Sequence, residues 1–397
     1  MNRNFKQGIV QQFNLNVEHQ LPANAVLTVG YAGSRGAHIL ESQVNENIGS
    51  PYACDPVIPG GTGPNPIYDP SYTLGCGRNL IIPSNGFQLV NSNNSVGAAR
   101  YDSLQVKLET KTARHGLYAL LGYTWARNFD SGMTDGLGTN AGAIYWPLPG
   151  TQKLDWGLSQ LNLNNTFTAS VLYDLPFGKG KRYGSNWSGA ANALLGHWQV
   201  NLIERAESGF PLFLVDSANT GPTFGAKPGA GNTGQYLNYN FFSLNRPVQV
   251  ANPYQAGTVA ANPNTRCGYF PEQIDPATLK PGIAPHAVHT LAARFNPCAY
   301  THATPGELSF ESRAPLYGPR FVNTDFSIIK DFPLSLRENM NLQFRAEFFN
   351  LFNHPQFFMS GLGYYGLQDV NTLPTFGAVN QQLNNPRLMQ FALRLNF

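Results

Sequence analysis

Few residues in this chain have the types and spacing that chemistry needs. His286 and His289 stand three apart and could present two imidazoles to a metal ion. They lie in a Pro- and Ala-rich stretch without an adjacent Glu, so the zinc-hydrolase arrangement of two His flanking a general base is missing, and a solvated loop is the better reading. Gly60-Gly61-Thr62-Gly63 has the glycine density of a phosphate loop, but no Lys follows it and no strand-to-helix context surrounds it. Arg345 and Glu347 fall two apart, on one face of any strand that holds them. They read better as an interior ion pair than as an acid/base couple. The densest basic cluster, Lys179-Gly180-Lys181-Arg182, is too short to track a phosphate backbone and suits a turn at a membrane surface. The expectation is therefore a chain that is not an enzyme, holds no metal or cofactor, and binds no nucleic acid.

Composition indicates what could carry such residues. Charged residues make up 12% of the 397, against a soluble norm of roughly 25%. Apolar residues reach only 42%, aromatics 12%, and there are 40 Gly and 29 Pro, a profile of many strands joined by long polar loops. The net charge of +3 is small and diffuse. No segment approaches the ~18 consecutive apolar residues of a membrane helix. In a transmembrane β-barrel that is expected, because the strands alternate. Met1-Asn2-Arg3-Asn4-Phe5-Lys6 leads into a polar, alternating stretch and not into the apolar core of a signal peptide.

Alternation is the dominant pattern. Met340, Leu342, Phe344, Ala346 and Phe348 occupy one parity, and Asn341, Gln343, Arg345 and Glu347 the other. A period of two gives one apolar and one polar face on a strand; on a helix the same apolar residues would spread around the circumference. Met389, Phe391, Leu393, Leu395 and Phe397 repeat the pattern against Gln390, Ala392, Arg394 and Asn396, as do Leu104, Val106 and Leu108 against Gln105, Lys107 and Glu109. Trp198, Val200 and Leu202 begin another such strand, but Glu204 falls on their apolar parity, which calls for a bulge or for a strand that has left the lipid by then. A soluble sandwich also alternates. The polar face here is Asn, Gln, Arg and Glu, suited to a wet lumen, and Trp125, Tyr173, Trp198 and Phe397 stand at strand ends, where interfacial girdles lie. The fold class expected is all-β: an antiparallel transmembrane β-barrel, partial, of about nine strands, occupying 1–397 as one unit.

The strands fall at 8–21, 25–40, 101–112, 116–128, 160–174, 196–209, 320–331, 338–350 and 388–397. Their connections alternate between tight (22–24, 113–115, 332–337) or medium (175–195) and long (41–100, 129–159, 210–319, 352–387). Bacterial barrels have short periplasmic turns and long external loops, so the chain is expected to begin outside. An odd strand count, an external start and the missing signal sequence together suggest a fragment, with two unpaired edges that promote aggregation. Four cysteines, Cys54, Cys76, Cys267 and Cys298, fall in two of the long loops. That placement suits the local disulfides Cys54–Cys76 and Cys267–Cys298, with free thiols as the alternative and no C-x2-C spacing for a metal.

Several stretches resemble the TonB-dependent outer-membrane receptors, in particular the Oar-like barrels. They are Tyr173-Asp174-Leu175-Pro176-Phe177-Gly178-Lys179-Gly180, Leu195-Gly196-His197-Trp198-Gln199-Val200 and Ser208-Gly209-Phe210-Pro211. The most specific is Leu342-Gln343-Phe344-Arg345-Ala346-Glu347-Phe348-Phe349-Asn350-Leu351-Phe352-Asn353-His354-Pro355. The final strand through Phe391, Leu393, Leu395 and Phe397 is similar to the signal by which the barrel-assembly machinery recognises its clients. The resemblance implies a cell outer membrane location in a Gram-negative bacterium, lipid around the wall, and import of a bulky nutrient, carbohydrate or metal chelate, driven by TonB through a plug. No plug is visible in this chain. A non-transporting surface adhesin or structural barrel is the alternative. Glu204 departs from the family, which usually has an apolar or aromatic residue there.

Overall fold

The computed structural model describes residues 5–45, 91–112, 116–131, 155–216, 246–254, 291, 294–296, 299–301, 309, 311–334, 340–361, 364–365, 367–369, 376–379 and 381–396. Nine long strands form one continuous path: β1 (Ile9–Leu21), β2 (Ala25–Asn45), β3 (Asn91–Thr112), β4 (Leu117–Asp130), β5 (Asn165–Asp174), β6 (Trp198–Glu207), β7 (Phe321–Pro333), β8 (Asn341–Phe349) and β9 (Leu388–Asn396). Each pairs antiparallel with its neighbour in sequence, and β1 and β9 are the two ends of the path. Successive antiparallel pairing makes this a meander, and all nine predicted strands are present in it.

Register makes the alternation physical. Val17, Val29, Val106, Tyr123, Phe167, Ala206 and Val322 are successive cross-strand partners, an unbroken apolar row over seven strands. Nearer the short-turn end, Leu117, Tyr173, Val200, Ile328, Ala346 and Phe391 form another. The opposite face pairs Asn341 with Asn396, Gln343 with Arg394 and Glu347 with Gln390. A slip of one residue in any strand would invert its faces, so burial of one face in lipid fixes the register.

Two departures from the sequence reading stand out. First, β2 runs to Asn45 and β3 starts at Asn91, with register shifts beginning after Gly36. The segment Asn91-Ser92-Asn93-Asn94-Ser95 is polar throughout, and its sequence predicts a loop. A polar run carries no alternation by which sequence could mark a strand. Second, the bulge offered for Glu204 does not occur. β6 and β7 pair in unbroken register from Phe321–Glu207 to Lys330–Trp198, and Thr324 donates its hydroxyl to Glu204 at 2.5 Å. The carboxylate therefore remains on the apolar parity with a partner.

The connection between β5 and β6 contains a short helix, α1 (Gly189–Leu195). Gly178 and Gly196 meet there so closely that a Cβ on Gly178 would stand 2.8 Å from the Gly196 Cα, while one on Gly196 would first meet the Asn192 side chain at 2.6 Å. Lys330 reaches the same place. It donates to the Gly196 carbonyl, and its ammonium sits 5.6 Å from the Trp198 ring centroid and 4.9 Å from that of Phe332. This side chain shares the apolar parity of Phe326 and Ile328, and its charge is accommodated by aromatic faces and a carbonyl at the end of the wall.

At the long-loop end, segments read from sequence as loops pack into a small unit. Pro211–Val215 pairs antiparallel with Leu316–Tyr317 and parallel with Leu367–Asp369. Around it Leu212, Leu214, Phe295, Ala299, Tyr300, Leu316, Met359 and Phe376 form a buried cluster. The rings of Phe295, Tyr300 and Phe376 meet edge to face at centroid distances of 5.1 to 6.3 Å, the geometry aromatic quadrupoles favour.

Candidate functional site

The polar face of the wall and the loop unit above it meet at the long-loop end, and that junction is the candidate site. On the wall, Arg345 and Glu347 form an ion pair at 3.2 Å along β8. Gln343 donates to Asp331 at 3.0 Å, and Asn396 donates to Asn341 at 2.6 Å. Asn341, Gln343, Arg345 and Glu347 share one polar ladder on β8, on the parity opposite the apolar one. They are hydrogen-bonded to one another and to neighbouring strands and do not converge on a common point.

The junction itself is held by buried charge. Arg313 pairs with Asp130 at 2.5 Å and also donates to the carbonyl of Leu158 at 2.8 Å. Its guanidinium stands 5.3 Å from the Phe213 ring. Arg246 pairs with Asp155 at 3.0 Å, and both side chains are almost fully buried. These pairs tie the connection between β6 and β7 to β4 and to the segment after it. Breaking one would leave a buried ion uncompensated, which typically costs about 3–5 kcal/mol. Burial, with Glu311 adding to it, pushes the Tyr300 phenol well above its ordinary value, and burial lowers the Arg294 guanidinium. The loop unit is thus anchored to the rim.

Between rim and loop unit lies a small cleft of about 20 Å³, lined by Phe210, Leu212, Phe321, Phe357, Phe358, Met359 and Glu207. Arg205 pairs with Glu207 at 2.7 Å and lies 5.7 Å from the Phe321 ring. The cleft is far smaller than the ~300–1,000 Å³ of an enclosing ligand pocket, so what it offers is an aromatic contact surface beside one ion pair.

The motif Asn350-Leu351-Phe352-Asn353-His354-Pro355 builds the bracket beneath this cleft. Asn350 and Asn353 both adopt left-handed backbone, each at φ 51, which Asn tolerates better than most residues. The Asn350 side chain donates to the carbonyls of His354 and Asn385 and accepts from the His354 amide; Asn353 accepts from the Arg387 amide. Gln356 then exchanges hydrogen bonds with both backbone groups of Val322. The motif fixes how the chain leaves β8 and re-enters at β9, so its role here is positional.

Phe391, Leu393 and Leu395 project from β9 and are largely exposed, with Phe391 stacked on Phe344 at 6.5 Å. Phe397, the four cysteines Cys54, Cys76, Cys267 and Cys298, the His286/His289 pair and Gly60–Gly63 lie outside the described residues. Among the described residues no three His, Cys, Asp or Glu side chains gather as a metal site. Sequence reasoning missed Asp130, Asp155, Arg246 and Arg313. Each is a lone charge in or beside a long connection, and no spacing links partners 183 residues apart.

Solved structures similar to this chain include two receptors. The ferric-catecholate import receptor Fiu of Escherichia coli K12 aligns at 9% identity and a TM-score of 0.37, covering 99% of this chain and 28% of that one. The pyoverdine receptor FpvA of Pseudomonas aeruginosa, bound to pyoverdine, aligns at 8% identity and a TM-score of 0.36, covering 99% and 30%. This chain thus spans less than a third of the length of either. No curated protein matches the sequence. The family model described as an outer membrane beta barrel domain matches residues 1–390. With a nine-strand antiparallel meander, apolar on one face and polar on the other, the chain belongs to that outer membrane beta barrel family and resides in the outer membrane of a Gram-negative bacterium.

Proposed function

We propose that this chain forms wall and mouth of a receptor that imports a bulky nutrient, a metal chelate or an oligosaccharide, with energy delivered by TonB through a plug. The observation that carries this reading is the built mouth. External connections are packed around Tyr300 and Phe376 and fastened to the rim by Arg313–Asp130 and Arg246–Asp155, leaving an aromatic cleft beside Glu207. A passive pore has no use for connections fastened across its entrance by buried ion pairs. The motifs through Asn350 and Trp198, similar to those of TonB-dependent receptors, support the energised version. On this reading the protein is not an enzyme; it changes the location of its ligand and leaves the bonds intact.

The test is growth of the host on limiting iron chelates and limiting oligosaccharides, with the gene intact, deleted, or carrying Glu207→Gln. Import predicts that deletion abolishes use of one nutrient class, that inactivating TonB does the same, and that the variant weakens uptake. Normal growth on every nutrient, together with loss of surface attachment, would replace the importer with an adhesin.

A further inference from the structure

We propose that the outer wall carries a binding site for the phosphate of an outer-leaflet lipid headgroup, formed by Arg100 and Arg127 and positioned by Asp102 and Arg35. Parity places these side chains on the lipid side of the sheet. Arg35 follows Tyr31 and Gly33, Arg100 and Asp102 precede Leu104 and Val106, and Arg127 follows Tyr123 and Trp125, all at intervals of two. They stand immediately beyond an aromatic belt. Leu15, Tyr31, Leu104 and Trp125 are successive partners, and the next outward positions are Phe13, Gly33, Asp102 and Arg127, about 7 Å farther along the strands. Phe13, Tyr31 and Trp125 are each 40–50% exposed. Charges on this face below the belt would sit in hydrocarbon, whereas at the belt's outer edge they meet headgroups.

The cluster is built for an anion. Asp102 accepts from Arg35 at 2.7 Å, from Arg100 at 2.6 Å and from the Tyr31 hydroxyl at 2.5 Å. Arg35 spends its other amino group on the carbonyls of Ser34 and Tyr101, and its guanidinium lies 5.2 Å from the Phe13 ring. Arg35 and Asp102 are thus fixed in place. Arg100 gives only its Nε to Asp102, and its two terminal amino groups meet no acceptor among the described residues. Arg127 uses one amino group on Asn164 and Tyr317 and keeps the rest of its fork. Three guanidiniums against one carboxylate leave two positive charges, with two forks of the kind that take phosphate oxygens in pairs. An occupant must present an anion to Arg100 and Arg127 and apolar matter to Phe13, Tyr31 and Trp125. A phosphorylated lipid does both; a free anion satisfies only the first.

The full protein, extracted from its outer membrane in mild detergent, is incubated with a phosphorylated glucosamine-based lipid, with the same lipid after phosphatase treatment, and with inorganic phosphate as competitor. Retained lipid is read by native mass spectrometry. The proposal expects the phosphorylated lipid to be retained about tenfold over its dephosphorylated form, with excess inorganic phosphate displacing little of it. The pair Arg100→Gln and Arg127→Gln should lose that preference, and Lys181→Gln with Arg182→Gln, at the opposite end of the wall, should keep it. Equal retention of the two lipids by the unaltered protein overturns the proposal without reference to any variant. So does full displacement by inorganic phosphate, or a folded Arg100/Arg127 variant that keeps the preference.

Discussion

Arg313 pairs with Asp130 at 2.5 Å across 183 residues of chain, joining the loop unit to the outer end of β4 with both side chains largely withdrawn from water. The pair is the hinge of the proposed mouth. Arg313→Ala should destabilise the loop unit by about 3–5 kcal/mol, because Asp130 then keeps its charge without its strongest partner. The paired change of Arg313→Met with Asp130→Leu should cost much less. Limited proteolysis of the protein in vesicles measures this as the rate of cleavage between β6 and β7. Equal rates for the single and paired variants would show that the charges do not hold the mouth.

Gly209 gives a steric test of the same junction. A Cβ there would collide with the carbonyl oxygen of Gly318, whose amide donates to Phe210 at 2.9 Å. Gly209→Ala should separate the two crossing segments and cost about 1–3 kcal/mol. Gly180→Ala, in the opposite turn, meets nothing within 4 Å and is strained only by its φ of +76, so about 1 kcal/mol is expected. Denaturant titration of vesicle-inserted protein ranks the two, and a milder effect at Gly209 would contradict the packing described.

Glu204 lies on the apolar parity between Ala169 and Thr324, with a single described hydrogen bond from the threonine. A carboxylate among lipid contacts destabilises a barrel by less than the ~2–4 kcal/mol of a midplane Arg or Lys. Replacing the pair by Glu204→Leu and Thr324→Val should therefore leave stability unchanged or raise it by about 1 kcal/mol. A marked loss on refolding into vesicles would mean that the pair holds the wall together.

Tyr300 predicts a pH response. Its phenol is raised above the ordinary value of 10.0, first by burial and then by Glu311. Below that ordinary value both folded and unfolded forms keep the proton and the stability is fully present. As pH rises past it the unfolded form alone gives up the proton, so stability falls until the folded phenol also ionises. Protease sensitivity of the loop unit should climb between about pH 10 and about pH 12, and Tyr300→Phe should flatten the climb. An unaltered slope in that variant would assign the response to another group.

The membrane wall was legible because lipid imposes a rule that leaves a trace in every strand. Leu342, Phe344 and Ala346 must alternate with Gln343, Arg345 and Glu347, and the loop lengths then order the meander. The far half of the β2–β3 hairpin was not legible, since Asn91 to Ser95 are all polar and show no alternation. The mouth was illegible for a different reason. Its core joins Leu212 to Phe295, Tyr300 and Phe376, and its ion pairs join Asp155 to Arg246, so the contacts are long-range and the local sequence is Gly-, Pro- and Asn-rich like any loop. Glu204 was seen as an anomaly from sequence, but only the register with Thr324 showed that the strand tolerates it without a bulge.

The most direct test concerns which end of the wall faces the outside. A short epitope inserted next to Leu291, an exposed residue of the loop unit, should be labelled by antibody and cut by protease on intact cells. The same epitope between Gly180 and Lys181, in the turn after β5, should be reached only after the outer membrane is opened. The reverse pattern, or equal labelling at both positions on intact cells, would contradict a transmembrane wall whose long connections build an external mouth.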